Sequence, residues 1–179
     1  MAQSTISGGM LTPIEDCYIS IPGYGEKIYM RILPDISDGK SAQYNDEPII
    51  GRSFPMKTFS HSENRAINWT SYFMILEDGD AVKNLNHLRA IQSAVYPRDG
   101  NSGAPYAPPP VCVLSCGKLL REGGEVCAVL KSYSVKFPTD VAWDEETKIP
   151  YKFSVDTQWD IVYSSNSLPG QSQILEFGA

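Results

Sequence analysis

The two histidines are the first residues in this chain that could carry out chemistry. His61 and His87 are its complete histidine set, and neither has an obvious Ser, Cys or carboxylate partner in the sequence. Because the partners of a catalytic histidine meet only in the folded chain, a small hydrolase that uses one of them stays open as an alternative. A single histidine is more often a surface or structural residue, so we expect no catalysis.

A short acidic run, EDGD at residues 77–80, places carboxylates at alternating positions, as calcium-binding loops do. A calcium loop needs a bidentate carboxylate at its twelfth position, and here that position falls on Leu88 or Arg89. The calcium pattern therefore fails. We interpret the run as the start of a helix, with Asp78 or Asp80 as the N-cap.

The four cysteines give little support for a metal site. Cys112 and Cys116 lie on one predicted strand, about 13 Å apart, which is too far for a disulfide between them. Cys17 and Cys127 stand alone in apolar surroundings. Since paired Cys-x-x-Cys spacing is absent, we expect no metal and no cofactor, and we interpret the thiols as small, buried, apolar side chains.

Three tryptophans raise the possibility of a sugar-stacking platform. Trp69 and Trp159 fall on the apolar face of alternating segments, which favours core packing, whereas Trp143 lies between acidic residues and is expected to be exposed. A carbohydrate-binding β-sandwich, which would depend on Trp143, stays open as a second alternative.

Charge and hydropathy argue against a nucleic-acid-binding protein and a membrane-inserted protein. The chain of 179 residues has 15 Lys and Arg against 21 Asp and Glu, a net charge of -6, and no basic stripe of the kind that binds nucleic acid. No apolar run approaches the roughly 20 residues that span a bilayer, so we expect no membrane insertion. The first ten residues lack the features of a signal peptide, and we expect assembly in a cytoplasm.

The strongest structural pattern is the alternation at residues 151–163, YKFSVDTQWDIVY. A period of two with one apolar row and one polar row predicts a long antiparallel strand that is buried on one face only. Residues 125–137 predict a second long strand with Tyr133, Val135 and Phe137 on its inner face. Apolar residues at helical spacing from Val82 to Val95 predict one helix at residues 80–95.

The remaining segments complete a single domain at residues 14–163. Shorter strands are predicted at 14–21, 26–33, 49–60, 66–76 and 111–115, with a hairpin turn at 61–64. Residues 35–48 are predicted to form a long exposed loop, and residues 98–110 a stiff, proline-rich loop that cannot pair with a sheet. Residues 1–13 are interpreted as a flexible arm and residues 164–179 as a tail.

Several motifs occur in a recognisable order. They are IGR at residues 50–52, the aromatic strand at 69–76, the helix ending before Pro97, PPPV at 108–111, YSVKFP at 133–138 and the final alternating strand. In this order, over residues 49–163, they resemble the tube-fold proteins of contractile phage tails. The resemblance is to the branch that contains tail tube initiators and baseplate hub proteins.

The resemblance implies a mainly β (α+β) fold of two packed antiparallel sheets, a tail-tube-like β-sandwich or barrel with one flanking helix. It implies a non-enzymatic structural protein of the virion tail, without a cofactor, whose copies form a homo-oligomer, a hexameric ring. That ring would lie at the baseplate, initiate the tail tube beside tube and hub proteins, and pass DNA as cargo. A repeated inner tail tube protein shares the fold and stays open as an alternative.

Two sets of residues follow as candidates for this role. The polar rows of the two long strands are assigned to the channel lumen, and their candidates are Ser132, Ser134, Asp156, Gln158 and Asp160. An acidic lumen would repel DNA phosphates. The arm and the two loops are assigned to contacts with neighbouring subunits, with candidates Asp35, Tyr44, Arg98 and Tyr106.

Overall fold

The computed structural model describes residues 12–51, 53–77, 79–99, 106–120, 124–145 and 148–163. Most of the predicted arm and all of the predicted tail lie outside these residues. The described strands are β1 (Cys17–Ser20), β2 (Lys27–Tyr29), β3 (Asp35–Gly39), β4 (Ala42–Glu47), β5 (Met56–Ser62), β6 (Ala66–Met74), β7 (Arg98–Asp99), β8 (Tyr106–Ala107), β9 (Val111–Cys116), β10 (Glu125–Lys136) and β11 (Lys152–Ile161). The helix α1 spans Asp80–Ser93.

Seven strands form one antiparallel sheet in the order β2-β1-β9-β10-β11-β6-β3. Strands β4 and β5 form a separate two-stranded ribbon, and β7 and β8 a second short pair. The prediction of a mainly β fold with antiparallel sheets and one helix is confirmed. Within the described residues the large sheet is open, with β2 and β3 as its edges.

The long strand β11 has the predicted one-sided pattern. Phe153, Val155, Trp159 and Ile161 are all buried. The alternate row of Ser154, Asp156, Gln158 and Asp160 is partly or fully exposed. The buried row also contains Thr157, which donates a hydrogen bond of 2.8 Å to the carbonyl of Trp69. A polar side chain is tolerated there because its hydrogen-bonding capacity is satisfied within the core.

Strand β10 keeps its apolar face inward by means of a bulge. Val126, Ala128 and Leu130 are buried, and the register with β11 then shifts between Leu130 and Ser132. The extra residue of a bulge inverts the order of inward and outward side chains, so the partly buried row continues at Tyr133 and Val135. Phe137, predicted on this face, follows the end of the strand: its ring centroid lies 5.6 Å from that of the buried Phe153, and its side chain is 52% exposed.

The core lies between the buried face of the large sheet and the helix. Leu88, Ala90 and Ile91 of α1 pack in the same cluster as Trp69 and Trp159. The sheet curls around this core, since Arg31, just beyond β2, bonds to Asp80 at the start of the helix that follows β6. Val82, predicted on the apolar face of the helix, is instead 52% exposed, because the helix turns Ala81 and Asn84 inward.

The cap of the helix differs from the prediction. Gly79 is the N-cap residue, with φ of 91°, and among the described residues no side chain caps the first turn. Asp80 instead accepts hydrogen bonds from the backbone amides of Leu76 and Glu77, both at 3.1 Å, and two from Arg31 at 2.6 and 3.0 Å. It therefore joins the loop before the helix to β2. Asp78 lies outside the described residues.

Three segments that the sequence predicts to be loops or a turn contain strands in the structure. Residues 35–48 contain β3 and β4, residues 98–110 contain the β7–β8 pair, and β5 runs through the predicted turn as far as Ser62. Strand β5 pairs with β4, not with β6. These strands carry polar residues on both faces. Backbone hydrogen bonds do not require an apolar pattern, so hydropathy gives no signal for β3, β4, β7 and β8, whereas part of β5 lies in the strand predicted at residues 49–60.

Two cysteines that are 99 residues apart in the sequence meet in the core. Cys17 and Cys116 are directly opposite on β1 and β9, with their sulfur atoms 3.4 Å apart. Both are buried, and the pKa of the Cys17 thiol is raised because it donates a hydrogen bond to Cys116 and is desolvated. Cys127 was predicted to be buried but is exposed, since its neighbours on β10, Val126 and Ala128, occupy the inward positions.

Replacing Asp80 with alanine is expected to lower the free energy of unfolding by about 3 kcal/mol. The change leaves Arg31 and two backbone amides without their acceptor in a partly buried site. Urea denaturation measures the loss, and Asp140→Ala, which removes an exposed carboxylate, serves as the matched control with an effect within about 0.5 kcal/mol. An Asp80→Ala protein as stable as the control would contradict the anchoring role.

The same carboxylate predicts a loss of stability in acid. Burial tends to raise the pKa of Asp80, but hydrogen bonds from Arg31, Leu76 and Glu77 outweigh burial and lower the pKa. A lowered folded-state pKa means that the stabilisation is present above the unfolded-state pKa of about 3.9 and is lost as the pH falls through the folded-state value. Between pH 6 and pH 3 the free energy of unfolding should therefore fall less for Asp80→Ala than for the wild type. The difference between the two decreases is expected to be on the order of 1 kcal/mol.

Candidate functional site

The structure places the five candidate lumen residues together on the polar face of the large sheet. Ser132 on β10 is directly opposite Gln158 on β11, and Ser134 is opposite Asp156. All five lie on the face that points away from the core, because the residues between them on β11, Thr157 and Trp159, are buried. Their assignment to a channel stays a prediction.

Hydrogen bonds join side chains across this face. Ser132 donates to the Oε1 atom of Gln158 at 2.9 Å, and Thr70 on β6 donates to Oδ1 of Asp156 at 2.7 Å. Also on β6, the hydroxyl of Tyr72 donates to Asp35 on the edge strand β3. Cross-strand pairs of this kind hold side chains in fixed positions, so the face is an ordered polar surface.

Two of the carboxylates on this face are paired with lysines. Lys136 lies 2.6 Å from Asp156, and Lys131 lies 3.8 Å from Asp160. The pKa of Asp156 is lowered by hydrogen bonds from Lys136 and Thr70, which outweigh the opposing effect of burial. Because both acids have a cationic neighbour, the face is less acidic than the sequence pattern indicated.

Sequence reasoning missed the part of the face that β6 and β3 contribute. Asn68 is opposite Gln158, Thr70 is opposite Asp156, and Ser37 is opposite Asn68. The alternation of polar and apolar residues is present on β6, where Asn68 and Thr70 alternate with Ile67 and Trp69. Strand β3 lacks an apolar row, and its sequence predicts a loop.

The β4–β5 ribbon and the segment that connects its strands carry a group of exposed apolar side chains. Tyr44 and Phe59 pack edge to face, with ring centroids 5.8 Å apart, and are 55% and 60% exposed. Near the connection between the strands, Phe54 is 81% exposed and Ile50 is fully exposed. An isolated two-stranded ribbon is only marginally stable in water, and exposed apolar clusters of this kind are typical of interaction surfaces.

The four candidate contact residues lie on three separate elements. Asp35 is on the edge strand β3, Tyr44 is on the ribbon, and Arg98 and Tyr106 are on the β7–β8 pair. In that pair Arg98 is opposite Ala107 and Tyr106 is opposite Asp99. The side chains of Arg98 and Tyr106 lie outside the described residues, and the contact role of all four stays a prediction.

The structure also locates the residues of the alternative functions. His61 Nδ1 lies 3.1 Å from Ser60 Oγ, but both side chains are exposed on the ribbon, where the described structure does not exclude water from them. Trp143 is 67% exposed, whereas Trp69 and Trp159 are buried, so the three tryptophans do not form a common platform.

The described parts of the chain contain no group of three or more His, Cys, Asp or Glu side chains placed to hold a metal ion. The one described helix is too short and too polar to cross a bilayer.

Comparison with known proteins gives structural likenesses but no sequence match. No protein-family model matches the chain, and no curated protein matches it. The structure is similar to a chain in a solved structure of the tail of an empty GTA particle, computed with helical refinement and C6 symmetry. The likeness covers 84% of this chain and 93% of that chain, at 13% sequence identity and a TM-score of 0.39. At these values the likeness does not by itself establish a common fold or function.

Proposed function

We propose that this chain is a non-enzymatic structural subunit of a phage-like contractile tail. In this proposal its copies form a hexameric ring at the baseplate that initiates the tail tube and continues the DNA channel. The observation that carries the proposal is the ordered polar face of the large sheet, which lies opposite a single apolar core. The motif order of residues 49–163 supports it independently.

The polar face has the properties that a channel wall requires. It presents small hydroxyl and amide groups, such as Ser132, Ser134 and Gln158, which bind water and carry no charge. Asp156 and Asp160 are paired with lysines, and Asp35 accepts a hydrogen bond from Tyr72, so the face has neither a cationic patch to hold phosphates nor a large negative charge without partners. DNA passing such a wall would find no strong binding site.

The two ends of the sheet support assembly into a ring. Strands β2 and β3 are its edges, and edge strands present unpaired backbone groups that favour pairing with another chain. The ring closes these edges against neighbouring copies, as a closed cyclic oligomer does. The β4–β5 ribbon then contacts a neighbouring subunit or the tube and hub proteins above and below.

Copy number in the particle tests the proposal and separates it from its nearest alternative. Quantitative mass spectrometry of purified particles should give about six copies of this chain per tail, one ring. A copy number that matches the sheath protein would identify a repeated inner tube protein. Complete absence from particles would overturn both, and loss of sugar binding in Trp143→Ala would then favour the carbohydrate-binding alternative.

Reversing the charge of the polar face is expected to impair DNA passage. In Asp156→Lys/Asp160→Lys particles, the two introduced lysines would join Lys131 and Lys136 at the channel and hold phosphates. DNA release should slow by about tenfold at low salt and recover at high salt, as screening predicts. The control is Asp140→Lys, an equivalent change at an exposed loop residue. Release at the wild-type rate would contradict the lumen assignment.

A further inference from the structure

A cavity of about 340 Å³ lies between β2, the end of β6 and the first turns of α1. The side chains that decide its chemistry are charged or aromatic: Glu26, Lys27, Arg31, Asp80, Lys83 and His87. Its volume is in the range of small-molecule sites.

His87 has an unused hydrogen-bonding group in this cavity. The residue is only 7% exposed, and its Nε2 atom has no hydrogen-bond partner among the described residues. The rings of Tyr24 and Phe73 contact the imidazole, with centroids 5.8 and 6.3 Å away, and hold it in place. A buried polar atom without a partner is unfavourable, so a group that supplies the missing hydrogen bond would be bound favourably.

The neighbouring charges select the kind of group. Lys83 lies one helical turn before His87 and lines the same cavity, and residues four apart share one face of a helix. The Arg31 guanidinium is already engaged by both oxygens of Asp80. Three cationic and two anionic side chains line the cavity, an excess of one positive charge, which suits a monoanion better than a phosphate dianion.

We propose that this cavity binds a carboxylate, with one oxygen at the Lys83 ammonium and the other at His87 Nε2. The carboxylate comes either from a small molecule or from an acidic side chain of a second copy of this chain. The proposal does not depend on the function in a tail.

Binding at this position would be linked to protonation of the imidazole. The pKa of His87 is lowered by burial first and then by the charge of Lys83; Arg31 acts in the same direction, and Glu26 and Asp80 oppose it. The other ionisable side chains that line the cavity are Lys27, Tyr29 and Tyr72. A bound carboxylate favours the imidazolium form, so it raises the pKa of His87, and binding should tighten as the pH falls towards and below the ordinary histidine pKa of about 6.5.

Nuclear magnetic resonance of the histidine side chains tests the proposal, because the chain has only two histidines. The 15N-histidine-labelled protein is titrated with sodium propionate at constant ionic strength, and with propionamide, its neutral isostere. We expect propionate to shift the His87 resonances saturably and to raise the pKa of His87, while propionamide has no such effect. The exposed His61 is the internal reference.

Variants separate the site from a general effect of salt. Lys83→Gln should weaken propionate binding by about tenfold, through the loss of a charge-assisted hydrogen bond. Lys118→Gln, which removes an exposed lysine that does not line the cavity, should bind like the wild type. No saturable shift, equal shifts with propionamide, or equal losses in the two variants would each overturn the proposal.

Protein concentration distinguishes the two sources of the carboxylate. If the His87 resonances move to the bound position when the protein is concentrated without propionate, an acidic side chain of a second copy occupies the cavity. If they stay at the free position until propionate is added, the ligand is a small molecule.

Discussion

Replacement of Trp159 with alanine is expected to lower the free energy of unfolding by about 4 kcal/mol, a large part of the stability of a domain of this size. Trp159 is fully buried at the centre of the core. Its indole nitrogen donates to the hydroxyl of Thr157 at 2.8 Å, and that hydroxyl donates to the carbonyl of Trp69. The change therefore leaves a cavity and also removes one bond from a buried chain of hydrogen bonds.

Trp143→Ala is the matched control for this experiment. It removes the same side chain from a position that is 67% exposed, where a substitution typically changes stability by about 0.5 kcal/mol or less. Urea denaturation, followed by far-ultraviolet circular dichroism, compares the two variants. If Trp143→Ala were as destabilising as Trp159→Ala, the position of the core in this structure would be wrong.

The double variant Tyr44→Ser/Phe59→Ser is expected to raise the protein concentration needed for ring assembly by at least about 30-fold. One aromatic residue at the centre of an interface typically contributes about 2 kcal/mol or more, and that single contribution already corresponds to the factor. The two rings contact each other, so their separate contributions are not added. The monomer should remain folded, since the two rings contact each other on the ribbon and are more than half exposed to solvent. Analytical ultracentrifugation measures the assembly and circular dichroism checks the monomer.

Lys57→Gln is the control for the ribbon. Lys57 lies on the same strand as Phe59, with its ammonium 3.4 Å from Asp46 in an exposed pair, and such pairs contribute little. Assembly of Lys57→Gln at the wild-type concentration, with loss only in the double variant, would assign the contact to the aromatic cluster. Unchanged assembly of the double variant would contradict the contact role of Tyr44.

Several features could be predicted from the sequence because they depend on local periodicity. The alternation along β11 identified a strand with one buried face, and the same alternation grouped Ser132, Ser134, Asp156, Gln158 and Asp160 on one polar surface. The helix was located to within two residues at its end, since its apolar residues recur at helical spacing. In each case the burial of an apolar row dictates the local structure.

Other features were decided only by the tertiary structure. The strands β3, β4 and β5 carry polar residues on both faces, so their pairing depends on backbone hydrogen bonds that hydropathy does not report. The bulge at Leu130 likewise changed which side chains of β10 face inward.

The sequence by itself determined the fold class, the position of the helix and the two faces of the long strands. The tertiary structure alone brought Cys17 to Cys116, Arg31 to Asp80, and Lys27 to His87 around one cavity. The physical reason is that a periodic pattern records which side of a segment avoids water. Which distant segment then covers that side is set by the curl and strand order of the sheet, and these depend on contacts between residues far apart in the chain.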